Sequence, residues 1–274
     1  VSTTVTYDSL LNAAVNIAGL SNNVIADTLS PVSAMTVVKK VQSDSNINSR
    51  VSVDYRYGGM LLHRKGLGSL GFKQLNTTDG QTGITTTTTY SQQYPYIGMP
   101  VTTVQKAGSL TISSASNTFA SLTTANGGEF PYIDVASQTQ YQIGSAGGHH
   151  TLATTVTDNN YDYWGNLTGN TITVKNGETV LHTTTTSNNF GLAASYEQQK
   201  GRLLSSTVSK KPEIGAAISR TSTFGYYAQA SVCDEVAQPR GLLQTTTVNG
   251  LTTSHCYDAF GHKRKVSKTA TMNE

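Results

Sequence analysis

Charged side chains are scarce in this sequence, and those present are not concentrated in one region. They make up 13% of the 274 residues and leave a net charge of +3. Lysines and arginines are scattered, apart from the run His262-Lys263-Arg264-Lys265 near the end. Nucleic-acid-binding proteins concentrate basic residues on one face and interleave them with aromatic side chains. We therefore expect no nucleic acid among the partners of this chain.

Long apolar runs are missing as well. No run of about eighteen apolar residues is present, so no membrane-spanning helix is expected. The first residues lack the basic and apolar regions of a signal peptide. The sequence begins and ends like a segment of a longer protein, and we expect it to be one.

Cysteine is nearly absent, since Cys233 and Cys256 are the only two. Two cysteines are too few for a framework of disulfides. They are either neighbours on adjacent strands or a pair of free thiols, and the sequence leaves both open.

Threonine and glycine are abundant instead, and residues 55–96 show how they are used. Five consecutive threonines, Thr85 to Thr89, follow the turn sequence Asp79-Gly80 and end on Tyr90. Threonine is β-branched and favours strand over helix, and Asp-Gly tolerates the positive φ of a tight hairpin. This stretch predicts a long β-hairpin whose first strand runs through residues 68–78. The composition resembles that of secreted or surface β proteins more than that of cytosolic α/β enzymes.

The same pattern recurs along the chain and predicts an all-β fold, a continuous antiparallel array of long hairpins. Alternation and turn residues predict strand pairs at 31–41 with 50–57, 100–104 with 110–112, 117–124 with 130–141, and 171–174 with 179–186. Asn176-Gly177 and Asn249-Gly250 are typical two-residue hairpin turns. Residues 1–30 form an N-terminal extension in which 9–18 could be a short helix. We expect hairpin regions at 31–142 and 143–274, joined through a flexible connection at 143–148 into one sheet.

Two internal repeats stand out. Residues 201–208 match residues 241–248 at an offset of forty, both beginning with Gly and ending with Thr-Val. Tyr161-Asp162-Tyr163-Trp164-Gly165 matches Tyr257-Asp258-Ala259-Phe260-Gly261. Asp at a turn accepts backbone N–H groups, Gly supplies the left-handed residue, and Tyr can lay its ring on a neighbouring repeat. Degenerate copies are expected at 117–119 and 223–226.

Tyr-Asp-x-x-Gly units between threonine-rich strands resemble the Rhs/YD-repeat family. The glycine block Gly66-x-Gly68-Ser-Leu-Gly71-Phe72, followed by Gln81-Thr82-Gly83-Ile84, is similar to the segment that precedes the YD repeats in the B component of bacterial Tc insecticidal toxins. The resemblance covers roughly residue 31 to the C-terminus.

The resemblance implies a curved sheet, part of a spiral that forms a hollow shell around a toxin polypeptide. It implies a secreted or cell-surface bacterial protein whose partners are other shell segments or toxin-complex subunits, together with the enclosed polypeptide. Family members are several times longer, so 274 residues cannot close a shell alone. The autoproteolytic motif of the family is absent from this sequence. We therefore expect a non-catalytic segment of shell wall.

No residue pattern indicates a catalytic site, a cofactor site or a metal site. The six histidines have no Cys, Asp or Glu at ligand spacing, and His149-His150 would point to opposite faces of a strand. Gly66-x-Gly68-x-x-Gly71 has the spacing of a dinucleotide motif but lacks the following helix, and we interpret it as a bend where two backbones approach closely. The carboxylates sit mostly beside turn residues. We expect no enzyme activity.

A second interpretation, from a different class, is a secreted or surface module that binds glycan or protein. Trp164 is its candidate contact, since exposed aromatic rings pack on the apolar faces of sugars. Ordinary cross-strand packing explains the same residue. A sheet cut from a longer strip also has unpaired edges, which predict self-association.

Overall fold

The computed structural model describes residues 2–20, 25–30, 34–44, 50–124, 126–143, 149–191, 201–228 and 231–270. Residues 144–148 of the connection predicted at 143–148 lie outside these residues. Every regular element in the described residues is a strand. The strands are β1 Thr3–Ser9, β2 Thr28–Leu29, β3 Thr36–Asp44, β4 Arg50–Gly58, β5 Leu61–His63, β6 Gly68–Gly71, β7 Gln74–Asp79, β8 Ile84–Tyr90, β9 Pro100–Ala107, β10 Leu110–Thr123, β11 Glu129–Ile143, β12 His149–Tyr161, β13 Leu167–Asn176, β14 Thr179–Phe190, β15 Leu203–Pro212, β16 Ile218–Tyr226, β17 Val232–Cys233, β18 Val236–Ala237, β19 Leu243–Val248, β20 Leu251–Tyr257 and β21 Lys263–Ala270.

Sixteen of these strands form one sheet in nearly sequential order. The order is β1-β3-β4-β7-β8-β9-β10-β11-β12-β13-β14-β15-β16-β19-β20-β21. The other strands belong to two small excursions: β2, β5 and β6 pair with one another, and β17 pairs with β18. The prediction of an all-β fold built from sequential antiparallel hairpins is confirmed. Curvature of the sheet stays a prediction.

The central strands explain the abundance of threonine. No residue of β7 to β15 whose side chain is described is buried. Both faces of these strands therefore meet water, and cross-strand contacts between hydroxyl groups replace a hydrophobic layer. The hydroxyl pairs, with oxygen–oxygen distances, are Thr78 and Thr85 at 3.3 Å, Thr88 and Thr103 at 3.4 Å, Thr89 and Thr102 at 2.6 Å, and Thr139 and Thr154 at 3.1 Å.

The hairpin between β7 and β8 is confirmed, but its turn and its first strand differ from the prediction. Residues 68–71 pair with β5 instead of extending β7. The positive φ lies at Gly83, at 69°, and not at Gly80. Gly80 lies close to β4, since a Cβ there would overlap the Ser52 hydroxyl oxygen unless that side chain moved. The Asp79 carboxylate accepts the N–H groups of Gln81 and Thr82, which lower its pKa, Thr82 contributing most.

The glycine block before this hairpin is also explained differently. Gly66, Gly68 and Gly71 have φ values of 104°, 68° and 74°. No atom lies within 4 Å of a Cβ placed at any of the three. Their role is therefore left-handed backbone, and the expected close approach of two backbones is wrong.

The short helix suggested for 9–18 does not form. Residues 10–15 are turns, and the Asn12 side chain accepts the Ala14 N–H at 2.9 Å. Ile17 N–H then donates to the Tyr57 carbonyl at 2.8 Å, and Tyr57 N–H donates to the Val15 carbonyl at 2.7 Å. This pairing with β4 satisfies backbone groups that a helix would have used internally. β1, which precedes it, pairs with β3 in the main sheet.

Two compact units divide the chain. The first comprises 1–121, 129–156 and 175–179, and the second comprises 122–128, 157–174 and 180–274. The core of the first unit consists of Leu10, Val15, Val37 and Met60, with Tyr57, Leu62 and Phe72 packed against it. Buried Gln92 donates through Nε2 to the carbonyls of Gly59 and Gly71, at 2.7 and 2.8 Å, and so joins the ends of β4 and β6 to this core.

Candidate functional site

The first Tyr-Asp-x-x-Gly sequence forms the turn between β12 and β13. Asp162 begins the turn, and its Oδ1 accepts the N–H groups of Trp164 and Asn166, both at 2.9 Å. Gly165 closes the turn with a φ of 83°, and its N–H donates to the Asp162 carbonyl at 2.9 Å. Only a residue that tolerates left-handed backbone fits there. Tyr161, the last residue of β12, is half-buried.

The second sequence forms the same turn between β20 and β21. Asp258 Oδ1 accepts the N–H groups of Phe260 and His262, both at 2.9 Å, and Gly261 has a φ of 87°. The Gly261 N–H donates to the Asp258 carbonyl at 3.1 Å. The His262 backbone N–H is the main reason that the pKa of Asp258 lies below its ordinary value. The two sequences therefore encode one turn with one set of hydrogen bonds.

Two tyrosines, Tyr257 of the second sequence and Tyr226 of β16, bond to the forty-residue repeat. The Tyr257 hydroxyl donates to the Leu243 carbonyl at 2.9 Å, and the Tyr226 hydroxyl donates to the Leu203 carbonyl at 2.8 Å. Leu203 and Leu243 are equivalent positions of the forty-residue repeat, each the first residue of its strand. Burial raises the pKa of both tyrosines.

The degenerate copies do not form the turn. Residues 117–119 lie inside β10, and residues 223–226 lie in β16. Neither has the Asp that begins the turn, so the expectation of degenerate turns there is wrong. Of these residues, only Tyr226 makes a contact typical of the repeat, because its hydroxyl donates a hydrogen bond to the Leu203 carbonyl.

A disulfide-linked hairpin covers the end of β20. We name residues 231–238, which contain β17 and β18, the clasp. Cys233 of the clasp forms a disulfide with Cys256 of β20, which resolves the alternative left open by the sequence. Its neighbour Asp234 lies 3.3 Å from the Lys265 ammonium group, and Lys265 is the cross-strand partner of Cys256. Two adjacent residues of the clasp thus hold two paired residues of the sheet.

Gln238 completes this attachment and is a residue that the sequence did not indicate. It is 6% exposed and exchanges two hydrogen bonds with the backbone of Tyr257. Tyr227, 3% exposed, donates from its hydroxyl to the His255 carbonyl at 2.7 Å. Its ring meets that of Tyr257 edge-on at 6.3 Å between centroids. A lone Gln after a short polar turn carries no local sequence signal for this role.

His255 lies in the same cluster. It is 9% exposed, and its Nδ1 atom is buried without a hydrogen-bond partner. Burial lowers the pKa of His255 below its ordinary value, and the charge of Lys263 lowers it further. The folded chain therefore disfavours the protonated form of the His255 imidazole.

The candidate glycan contact is exposed at the first turn. Trp164 is 46% exposed and Tyr163 is 50% exposed. Their ring centroids are 4.8 Å apart and the rings are tilted by 38°. At the equivalent place in the second turn, Phe260 is 87% exposed. The turns thus present aromatic rings to solvent at both copies, while the ring of Tyr257 is buried at the end of its strand.

One cavity of the first unit, lined mostly by apolar residues and glycines, has no set of acid–base groups. It has a volume of about 180 Å³ and lies between residues 10–20 and the end of β4. Tyr57 is its one titratable lining residue, and burial raises the pKa of that hydroxyl. Across the described ranges, no three His, Cys, Asp or Glu side chains are grouped closely enough to hold a metal ion. No helix among the described residues is long and apolar enough to cross a membrane.

Comparison with known proteins gives only distant structural similarities. No family model matches the chain, and no curated protein matches it. The crystal structures of TcdB2-TccC3-Cdc42 and TcdB2-TccC3 match with TM-scores of 0.37 and 0.34 and identities of 7% and 9%. These matches cover 86% and 82% of this chain but only 13% of each of those chains. A porin-like protein from Bacteroides uniformis matches with a TM-score of 0.30 and 11% identity, over 85% of both chains.

Proposed function

We propose that this chain is a non-catalytic wall segment of a shell that encloses a toxin polypeptide. One observation carries the proposal: strands β7 to β15 bury no described side chain. An ordinary globular sheet covers at least one of its faces with a second layer. A wall needs two uncovered faces, one toward its content and one toward the outside, and threonine-rich strands supply them.

The repeated turns support the same proposal. A wall made of many hairpins needs connections that all have the same geometry, so that successive strands keep their register. The Asp162 and Asp258 turns have the same hydrogen bonds, and the Leu203 and Leu243 strand starts are held by tyrosine hydroxyls in the same way. The sequence resemblance to Rhs/YD repeats adds the expected content, a toxin polypeptide, and a bacterial secreted or surface location.

The proposal is tested on the full product of the gene that encodes this chain. Limited proteolysis should leave one segment, or one co-purified polypeptide, uncut while the wall is intact. The Gly165→Val and Gly261→Val double variant, which the left-handed backbone does not accept, should make that segment cleavable. The proposal fails if every segment of the intact product is cut at the same rate.

A glycan-binding module is the second candidate, favoured by the exposed rings of Tyr163 and Trp164. A glycan array probed with this chain tests it. The module is supported if a signal appears that Trp164→Ala abolishes and Phe260→Ala leaves intact. It is excluded if no glycan gives a signal or if Trp164→Ala retains it.

A further inference from the structure

The turn between β15 and β16 is an exposed apolar apex. Residues 210–220, which we name the tip, are all exposed. Ile214 and Ile218 are 87% and 77% exposed. Single exposed apolar side chains are ordinary, but contiguous ones mark interaction sites.

The apolar surface continues onto the neighbouring strand. The Glu213 N–H at the tip donates to the Leu181 carbonyl at 2.8 Å, which fixes the tip against the start of β14. Val180 and Leu181 are themselves 40% and 38% exposed. Apolar side chains of two adjoining segments of the second unit therefore meet solvent at one end of the sheet.

The tip extends beyond the paired part of the next strand. β16 pairs with β19 only from Ser222 to Tyr226, whereas its pairing with β15 continues to Ile218. Residues 218–221 thus extend beyond the β19 pairing. This places the two isoleucines beyond the region that β19 covers.

Cations flank the exposed isoleucine Ile218 on both strands of the tip. Lys210 is the cross-strand partner of Ile218, and Arg220 is the partner of Val208. Lys211 precedes the turn and pairs with Thr183. At roughly 3.3 Å per strand residue, Arg220 lies about 7 Å behind Ile218. Against these three cations the tip carries one acidic residue, Glu213.

We propose that the tip binds the surface of an anionic lipid bilayer. Apolar side chains at an interface enter the headgroup boundary by roughly 5–10 Å, and cations at that depth meet the lipid phosphates and carboxylates. Arg220, about 7 Å from Ile218 along the strand, matches that depth, and Lys210 and Lys211 flank Ile218 on the neighbouring strand. A second copy of this chain fits less well, because two tips would bring like charges together. This inference goes beyond the wall function and does not rest on it.

Cosedimentation of the chain with vesicles tests the proposal. The chain should sediment with phosphatidylcholine vesicles that contain phosphatidylserine, and much less with phosphatidylcholine alone. Lys210→Gln with Lys211→Gln should weaken the partition coefficient roughly thirtyfold, from about 1 kcal/mol per cation near an anionic surface. Ile214→Asp with Ile218→Asp should abolish sedimentation. Phe260→Asp, at a residue as exposed as Ile214, is the matched control and should sediment like the unchanged chain.

Circular dichroism and thermal midpoints equal to those of the unchanged chain will show that each variant is folded. The proposal is overturned if the isoleucine variant still sediments, or if phosphatidylserine makes no difference. It is also overturned if Phe260→Asp reduces sedimentation as strongly as the isoleucine variant does. Loss of a concentration-dependent oligomer in the isoleucine variant, without any vesicle binding, would assign the tip to protein–protein contact instead.

Discussion

The side-chain amide of Gln238 pairs with the backbone of Tyr257 as a neighbouring strand would. Its Oε1 accepts the Tyr257 N–H at 2.7 Å, and its Nε2 donates to the Tyr257 carbonyl at 2.9 Å. The pairing of β19 with β20 reaches only to Ser254. One buried amide therefore continues the ladder where the strand has ended, and it holds the clasp to the sheet.

Replacing Gln238 by Leu should destabilise the chain by about 2–4 kcal/mol. The change leaves the N–H and carbonyl of Tyr257 without these partners, and each such buried group costs roughly 1–3 kcal/mol. Urea unfolding followed by circular dichroism measures the difference. Gln244→Leu, at an exposed position of β19, is the control and should stay within about 0.5 kcal/mol. Equal effects of the two substitutions would contradict the assigned role.

Reducing the Cys233–Cys256 disulfide should lower the free energy of unfolding by about 3 kcal/mol. The bond spans a sequence separation of 23 residues and restricts the unfolded chain accordingly. Urea unfolding with and without a dithiol reductant measures this loss. The Cys233→Ala and Cys256→Ala double variant should show the lower stability in both conditions. A reductant effect that persists in the double variant would show that the reductant acts elsewhere.

Stability should fall as the pH drops below about 6.5 because of His255. The unfolded chain takes up this proton near the ordinary pKa of about 6.5, whereas the folded chain takes it up only at lower pH. Between the two pKa values the unfolded state binds more protons, so the stability present above about pH 6.5 is progressively lost.

Thermal unfolding at several pH values between about 5 and 8 checks this expectation. His255→Leu should flatten the profile, because it removes the group whose pKa is lowered by burial. Asp79 and Asp258, whose pKa values are lowered by backbone N–H donors, add their own loss only below about pH 4. If the stability of His255→Leu falls with decreasing pH as steeply as that of the unchanged chain, His255 is not the cause of this loss.

Alanine at Gly165 should destabilise the chain by about 1–2 kcal/mol, the cost of a Cβ in left-handed backbone. The φ of 83° there is the reason. Gly169→Ala is the matched control in the following strand: its nearest neighbour, the Thr186 carbonyl oxygen, would lie at an ordinary 3.6 Å. That substitution should be neutral or stabilising, because alanine loses less backbone entropy than glycine on folding. The urea midpoints of the two variants measure the difference in stability. A loss in Gly169→Ala as large as the loss in Gly165→Ala would contradict the role assigned to the left-handed turn.

Features with local causes could be predicted from the sequence. Asn249-Gly250 forms the expected turn, with φ values of 48° and 77° and Val248 paired to Leu251. The geometry of the turns at Asp162 and Asp258 is also determined by residues that lie within five positions of one another in the sequence. In these cases the side chains that decide the geometry are neighbours in sequence.

Features decided by distant partners could not be predicted. Residues 10–17 turn back because their backbone pairs with Tyr57, forty residues away, and no local pattern marks that partner. The clasp depends on Gln238 meeting Tyr257 and on Cys233 meeting Cys256. The lack of room beside Gly80 comes from Ser52 of β4, which the local sequence does not show. In each case a contact made only after folding selects among locally acceptable conformations.

The scarcity of buried side chains in β7 to β15 has a consequence for the thermodynamics of this fold. The heat capacity increment of unfolding arises mainly from newly hydrated apolar surface, at roughly 12–15 cal/mol/K per residue in ordinary domains. Strands whose faces are already hydrated contribute less to it. Calorimetry of this chain should therefore give a smaller increment per residue and a flatter stability curve, so that its free energy of unfolding changes little between a cold and a warm environment.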